Sequence, residues 1–233
     1  MAGLAATLGN GAMSNSIPEI EETKCVFIFG YNAADSHPIV ARRIVNAKQK
    51  GAKIVVVDPR LTESARIADV WLQLRNGSNM ALVNAFGHVL IEEGLYNRDY
   101  VAKYTDGFEQ YREIVSKYTP EYAETITGVP AETIREAMRV YAAAPSAFIL
   151  YGMGVTHYGQ AVDVVKGLSG LTLLTGNFGR PAVGIGPVRG QTTGPSAAET
   201  AAAKHPAAAL AETAGCLSCH AAETKVVGPS YAE

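Results

Sequence analysis

The chain has 233 residues and a formal net charge of -2 from 20 basic and 22 acidic side chains. That length suits one domain, or one domain with a small appendage, and the charge gives no basic stripe of the kind that holds nucleic acid. No apolar run reaches the length of a membrane span, and the small-residue N-terminus lacks the regions of a signal peptide, so the cytoplasm is the expected compartment.

The first strong element is Cys25–Phe29, a continuous apolar run that suits a strand buried on both faces of a parallel sheet. Cys25 reads there as a small buried hydrophobe. A loop over residues 30–36 leads into a helix over 38–50, opening on Pro38, turning Val40, Ile44, Val45 and Ala47 inward and stopping at Gly51. Lys53–Val57 repeats the apolar run and ends in Asp58-Pro59-Arg60, which completes a right-handed βαβ unit. Residues 70–74 read as a short strand, and Ser78 is placed to cap a helix over 79–93 that stops at Gly94.

Residues 97–145 form a helical subregion, with helical spacing over 99–104, 107–118 and 130–144. Thr119-Pro120 and Gly128-Val129-Pro130 read as its breaks. The sheet resumes at Ala147–Tyr151, closed by Gly152-Met153-Gly154, and a helix over 160–174 follows. A glycine- and proline-rich loop then carries the chain to Gly190 and Gln191.

The alternation of strands and helices predicts an α/β, Rossmann-like parallel sheet over residues 1–191, followed by a short, mostly irregular or helical tail. Residues 192–204 read as a linker of small and polar residues, and 205–233 as a separate tail segment with a weak alanine-rich helix over 207–214.

In an open α/β sheet, ligands bind beyond the carboxyl ends of the strands. Four loops occupy such ends, over residues 30–36, 58–60, 75–79 and 152–157, and together they predict a nucleotide-type cofactor site. Gly30 permits close backbone approach to a phosphate, Asp58 stands where an acidic side chain takes ribose hydroxyls, and Arg60 can grip a phosphate or a purine face. The first loop has no Gly-x-Gly-x-x-Gly turn, which argues against nicotinamide cofactors.

Several stretches carry a closer resemblance. Gly9-Asn10-Gly11-Ala12-Met13-Ser14-Asn15, Phe29-Gly30-Tyr31-Asn32-Ala33-Ala34-Asp35-Ser36-His37-Pro38, Val57-Asp58-Pro59-Arg60, Asn76-Gly77-Ser78-Asn79, Gly152-Met153-Gly154-Val155-Thr156 and Leu174-Thr175-Gly176-Asn177 resemble the catalytic subunit of molybdenum- or tungsten-dependent formate dehydrogenases, within the molybdopterin oxidoreductases. The resemblance implies a dinucleotide-type domain binding one arm of a bis-(molybdopterin guanine dinucleotide) cofactor. It implies that Gly30, Asn32, Asp35 and Ser36 approach the dinucleotide, and that Asp58, Pro59 and Arg60 take its guanosine end with Gly77 and Asn79 beside them. Met153, Gly154, Val155, Thr156 and His157 would line the pterin side, His157 standing where this family more often has glutamine. In Pro187-Val188-Arg189-Gly190-Gln191, Gly190 and Gln191 would also meet the cofactor, and Arg189 matches the arginine that orients formate. A guanidinium fork suits a carboxylate substrate.

By the same resemblance, the metal-ligating cysteine or selenocysteine falls upstream of Ala2, so no molybdenum ligand is expected among these residues, and iron–sulfur clusters would belong to other parts or partners. The implied reaction is oxidation of formate to carbon dioxide with electrons passed to carrier subunits. The alternatives are a non-catalytic cofactor-domain remnant joined to an electron-transfer tail, or another molybdopterin oxidoreductase. Activity of this chain alone is left open.

The tail carries Cys216-Leu217-Ser218-Cys219-His220, the signature of c-type haem attachment, in a setting that resembles the start of small class I cytochromes c. Haem would bind through Cys216, Cys219 and His220, and would move the protein to the periplasm. No methionine follows Met153 to serve as a distal ligand, and an unmodified tail is the expectation. Zinc on the two thiolates and His220, with His205 nearby in sequence, is a weaker option.

Overall fold

The computed structural model describes residues 2–188. Arg189, Gly190, Gln191, the linker and the whole Cys-x-x-Cys-His tail lie outside the described residues.

Five parallel strands form one sheet: β1 (Cys25–Phe29), β2 (Lys53–Val57), β3 (Val70–Leu72), β4 (Ala147–Tyr151) and β5 (Gly184–Pro187). Their order is β3-β2-β1-β4-β5, with Phe27 opposite Val55 on one side and Ile149 on the other. The strand order reverses between β1 and β4, which makes that junction the topological switch point. The Rossmann-like α/β prediction holds.

Among the described residues the helices are α1 (Ala2–Leu8), a 3₁₀ helix (Ile17–Glu21), α2 (Ala33–Ser36), α3 (Pro38–Gln49), α4 (Glu63–Arg66), α5 (Asn79–Glu92), α6 (Arg98–Tyr104), α7 (Phe108–Val115), α8 (Pro120–Thr127), α9 (Ala131–Ala143), α10 (Met153–Thr156) and α11 (Ala161–Thr175). Two apolar layers sandwich the sheet. Phe27 and Phe29 join Leu82, Phe86, Tyr141 and Leu168 on the side of α5, α9 and α11. Val26 and Ile28 join Ile20, Val40, Ile44 and Phe148 on the side of α3 and the 3₁₀ helix. Covering on both faces explains why β1 and β4 are apolar at every position rather than at alternate ones. Cys25 is fully buried, and burial, aided by the nearby Asp69 charge, pushes its thiol up to about 12. It is an inert core side chain.

Several local expectations change. Val40, Ile44 and Ala47 turn inward as expected, but Val45 is 40% exposed. Residues 45 and 44 differ by 100° around a helix, and α3 buries only a narrow stripe. The third strand stops at Leu72 rather than continuing to Leu74. Thr119-Pro120 starts a helix instead of merely breaking one: the Thr119 hydroxyl accepts the Tyr122 N–H at 3.2 Å, Pro120 fits the first turn, and Gly128 closes α8 at φ 75°. The glycine-rich stretch read as a loop contains β5. It forms an edge of the sheet, where the terminal Pro187 costs no ladder bond.

Phe27 packs edge-on against Phe86 and Tyr141, each with ring centroids 5.6 Å away. Phe27→Ala is expected to lower the unfolding free energy by about 3–5 kcal/mol, measured by urea denaturation of the whole chain.

Candidate cofactor-binding cleft

A parallel sheet sends every strand's carboxyl end to the same edge, and a cleft of about 1530 Å³ lies along that edge. It exceeds the roughly 300–1,000 Å³ of a typical small-molecule site and has room for a dinucleotide-sized ligand. The loops after β1, β2 and β3 contribute to it, as do the start of α10 after β4, Pro187 and Val188 at the end of β5, and an N-terminal wall over residues 10–18.

The floor is a backbone contact at the switch point. The Gly30 N–H donates to the Val57 carbonyl at 2.8 Å, and the Gly30 carbonyl accepts the Gly154 N–H at 3.0 Å. The Gly152 N–H donates to the Phe29 carbonyl at 3.3 Å. Gly30 has φ 55°, and a Cβ there would stand 2.8 Å from the Gly154 carbonyl carbon. Conversely, a Cβ on Gly154 would meet the Gly30 Cα at 2.8 Å. Asn79 completes the junction by donating from Nδ2 to the Gly154 carbonyl at 3.2 Å. The glycines let the loops after β1 and β4 touch directly, so the cleft has a bare backbone floor.

Asp58 follows the last residue of β2 and is 5% exposed. Its Oδ1 accepts the Arg60 N–H at 2.8 Å, and its carbonyl accepts the Trp71 Nε1–H at 2.9 Å. Burial holds its carboxyl above the usual range, opposed by the Arg60 amide and the Arg60 charge. A buried carboxylate with one amide donor keeps spare acceptor capacity for ligand hydroxyls. Asn32 directs Nδ2 to Asp35 Oδ2 at 2.5 Å, and the Ser36 hydroxyl donates to the Asn32 carbonyl at 2.6 Å, which shapes the turn into α2.

Of the expected contacts, Gly30, Asn32, Asp35, Ser36, Asp58, Pro59, Arg60, Asn79, Met153 and Gly154 line this cleft together. Four described ones do not. Gly77, at φ 85° with open space around it, serves the turn into α5. Val155 is fully buried in the core beneath α10. Thr156 turns its hydroxyl back to Met153 Sδ at 3.6 Å, and His157 closes α10 as its exposed C-cap. Tyr31, His37, Asn76, Tyr158 and most of the wall over 10–18 also line the cleft without having been singled out as contacts. The glycine-flanked Gly9-Asn10-Gly11 was a usable signal for that wall. Among the described residues, no group of three His, Cys, Asp or Glu side chains is placed to hold a metal ion, and no helix is long and apolar enough to cross a membrane.

Comparison with known proteins bears on what such a cleft holds. The sequence profile of the family described as molybdopterin oxidoreductase matches residues 4–227. The chain belongs to the molybdopterin oxidoreductase family. It is 60% identical over 191 residues to formate dehydrogenase H of Escherichia coli (strain K12), covering 82% of this chain and 27% of that protein. It is 48% identical over 189 residues to the F420-dependent formate dehydrogenase subunit alpha of Methanocaldococcus jannaschii, covering 81% of this chain and 28% of that protein. Among solved structures, acetylene hydratase from Pelobacter acetylenicus superposes with a TM-score of 0.71 at 27% identity, over 76% of this chain and 24% of that one. The chain thus spans about a quarter of the length of the relatives it matches.

Family membership implies a molybdopterin cofactor carrying molybdenum or tungsten. The cleft fits such a group: Asp58 offers acceptor capacity for hydroxyls, Arg60 is an exposed cation beside it, and the Gly30–Gly154 floor has no side chain in the way.

Two expectations follow. Gly30→Ala and Gly154→Ala should each destabilise the chain by more than about 2 kcal/mol, combining a backbone clash with strain at Gly30, whereas Gly77→Ala should cost only about 1 kcal/mol for its left-handed backbone. Urea midpoints of the three variants check this. For Asp58, the folded carboxyl binds its proton more tightly than the unfolded one does, so its contribution favours folding at low pH and is lost as pH rises from the ordinary aspartate value of 3.8 through the raised folded value. Asp58→Asn should therefore raise the melting temperature of the ligand-free chain at neutral pH and flatten that pH dependence. Calorimetry across the acid-to-neutral range checks the sign.

Proposed function

We propose that this chain is the cofactor-handling α/β part of a formate dehydrogenase catalytic subunit. The observation that carries the reading is the 60% identity to formate dehydrogenase H across 191 residues, a span that takes in the cleft. The scaffold alone does not select the reaction, since a relative named as a hydratase and another named nitrate reductase share it at 27% and 36% identity.

In this reading the cleft holds one guanine dinucleotide arm of a bis-(molybdopterin guanine dinucleotide) cofactor. Asp58 accepts hydroxyl or base N–H donors, Arg60 pairs with phosphate charge, and Gly30 and Gly154 admit the chain of the dinucleotide against bare backbone. When bound, the cofactor's metal supplies the two-electron acceptor for formate, which is released as carbon dioxide and a proton; the electrons pass on to carrier subunits. Arg189, outside the described residues, orients the formate carboxylate through its guanidinium fork.

The test is direct. The chain, produced in cells that make the cofactor, should retain molybdenum or tungsten by elemental analysis and release a fluorescent oxidised pterin and a guanine nucleotide on denaturation. Absence of both organic parts would sink the cofactor reading. Formate-dependent dye reduction measures the activity, and Arg189→Ala should lower it by roughly ten- to a hundredfold, the worth of a lost charge-assisted contact. For the tail, the reading carried forward is an unmodified, cytoplasmic segment. Haem staining after denaturing electrophoresis should be negative, and a positive stain would replace that reading with a periplasmic haem protein bonded through Cys216 and Cys219.

A further inference from the structure

The wall over residues 10–18 is held to the sheet by a set of polar contacts. The Ser14 N–H donates to the Ile185 carbonyl at 3.0 Å, and the Ile185 N–H returns a bond to the Ser14 hydroxyl at 2.9 Å. The wall crosses β5 so closely that a Cβ on Gly184 would stand 2.1 Å from Ser14 Oγ, and one on Gly186 would stand 2.3 Å from Met13 Cγ. Just past the wall lies Glu19, which does not line the cleft.

Glu19 gathers four donors on one carboxylate. Its Oε1 accepts the Ser16 N–H at 2.9 Å and the Ser16 hydroxyl at 2.8 Å. Its Oε2 accepts Asn15 Nδ2 at 2.8 Å and the Ala182 N–H at 3.0 Å. Asn15 also donates to the Arg180 carbonyl at 3.0 Å. Arg180 in turn bonds the Pro145 carbonyl at 2.8 Å and Asn177 Oδ1 at 3.1 Å, and Asn177 Oδ1 accepts the Ala147 N–H at the start of β4. Ala182 points its N–H at Glu19 while holding φ 58°, an unfavourable backbone for a residue with a side chain.

We infer that Glu19 is a positioning residue whose carboxylate latches the cleft wall over residues 10–18 onto the turn that precedes β5. Three of the four partners are N–H donors and the fourth is a hydroxyl that donates here, a set that an ionised carboxylate satisfies in full; a carboxamide would set its NH₂ against at least one N–H whichever way it turned. Burial alone would raise the Glu19 carboxyl, but the bonds from Ala182, Asn15 and Ser16 outweigh it and hold the group below its usual value of 4.5, so the latch is ionised at neutral pH. Losing it frees the wall and enlarges the cleft without touching the strand-end loops. The consequence for ligand affinity rests on the nucleotide reading of the cleft.

The experiment compares the wild-type chain with Glu19→Gln and, as an independent route, Asn15→Asp, which sets a carboxylate against a carboxylate. Hydrogen–deuterium exchange reads the wall without any ligand, and titration calorimetry with guanosine diphosphate reads the cleft. Both variants should exchange the amides of residues 10–18 about tenfold faster, the worth of one charge-assisted bond, with β1 and β2 unchanged. Both should also bind guanosine diphosphate about tenfold more weakly at unchanged stoichiometry. Wild-type exchange over 10–18 in both variants would overturn the latch, as would acceleration spread evenly across the sheet. A faster wall with unaltered nucleotide affinity would overturn the positioning role. Failure of the wild-type chain to bind the nucleotide would count against the nucleotide reading, while the exchange data still decide the latch.

Discussion

The architecture turns on one backbone-to-backbone contact, between Gly30 after β1 and Gly154 after β4. Strands β1 and β4 are neighbours in the sheet although 117 residues of chain separate the end of one from the start of the other, from Gly30 through Ser146. At their carboxyl ends the crossovers depart toward opposite faces, and the loops would splay apart if either carried side chains at the contact. Two glycines let the loops meet at hydrogen-bonding distance, and the positive φ at Gly30 turns the chain into α2. The cleft is what that contact leaves above it. Its floor is backbone, so its polarity is supplied by amide and carbonyl groups and by a few side chains set around the rim.

The opposite wall obeys a related constraint. Segment 10–18 lies across β5, and the two approach so closely that β5 carries glycine at Gly184 and Gly186. A strand built of Gly-Ile-Gly-Pro has poor intrinsic propensity, and it exists because β4 pairs with it and because Ser14 bonds to both polar groups of Ile185. Tertiary contact therefore overrides local preference, and the same glycines that weaken the strand admit the wall.

This explains which parts of the molecule were legible in the amino-acid sequence. Cys25–Phe29, Lys53–Val57 and Ala147–Tyr151 announce themselves because a strand covered on both faces must be apolar nearly throughout, and the loops that follow them mark the cleft edge by topology alone. Strand β5 was illegible because its stability is borrowed from partners distant in sequence. The helix over Pro120–Thr127 was hidden because proline ends helices more conspicuously than it begins them, although Thr119 carried the cap signal. Val155 was read as a cofactor contact together with its motif neighbours, of which Met153 and Gly154 line the cleft; a four-residue helix has an inner and an outer side, and Val155 falls on the inner one. The wall residues were missed for another reason: small polar and glycine positions acquire a role only when the chain folds back over the sheet.

Two carboxylates near the cleft show how differently the fold treats the same chemical group. Both lie out of bulk water to some degree, and burial by itself raises both. At Glu19 four donors converge, and their combined effect overcomes burial, so the group is an ionised strut. At Asp58 burial is nearly complete, one amide donor is supplied, and the carboxyl stays raised. Burial of a carboxylate with so few donors disfavours its ionised form, whereas the four donors around Glu19 favour it. The spare acceptor capacity of Asp58 lies just past β2, in the cleft that Arg60 and Gly30 also line. The difference in donor count, rather than any difference in residue type, sets the two apart: the fold saturates Glu19 and leaves Asp58 with acceptor capacity at the cleft.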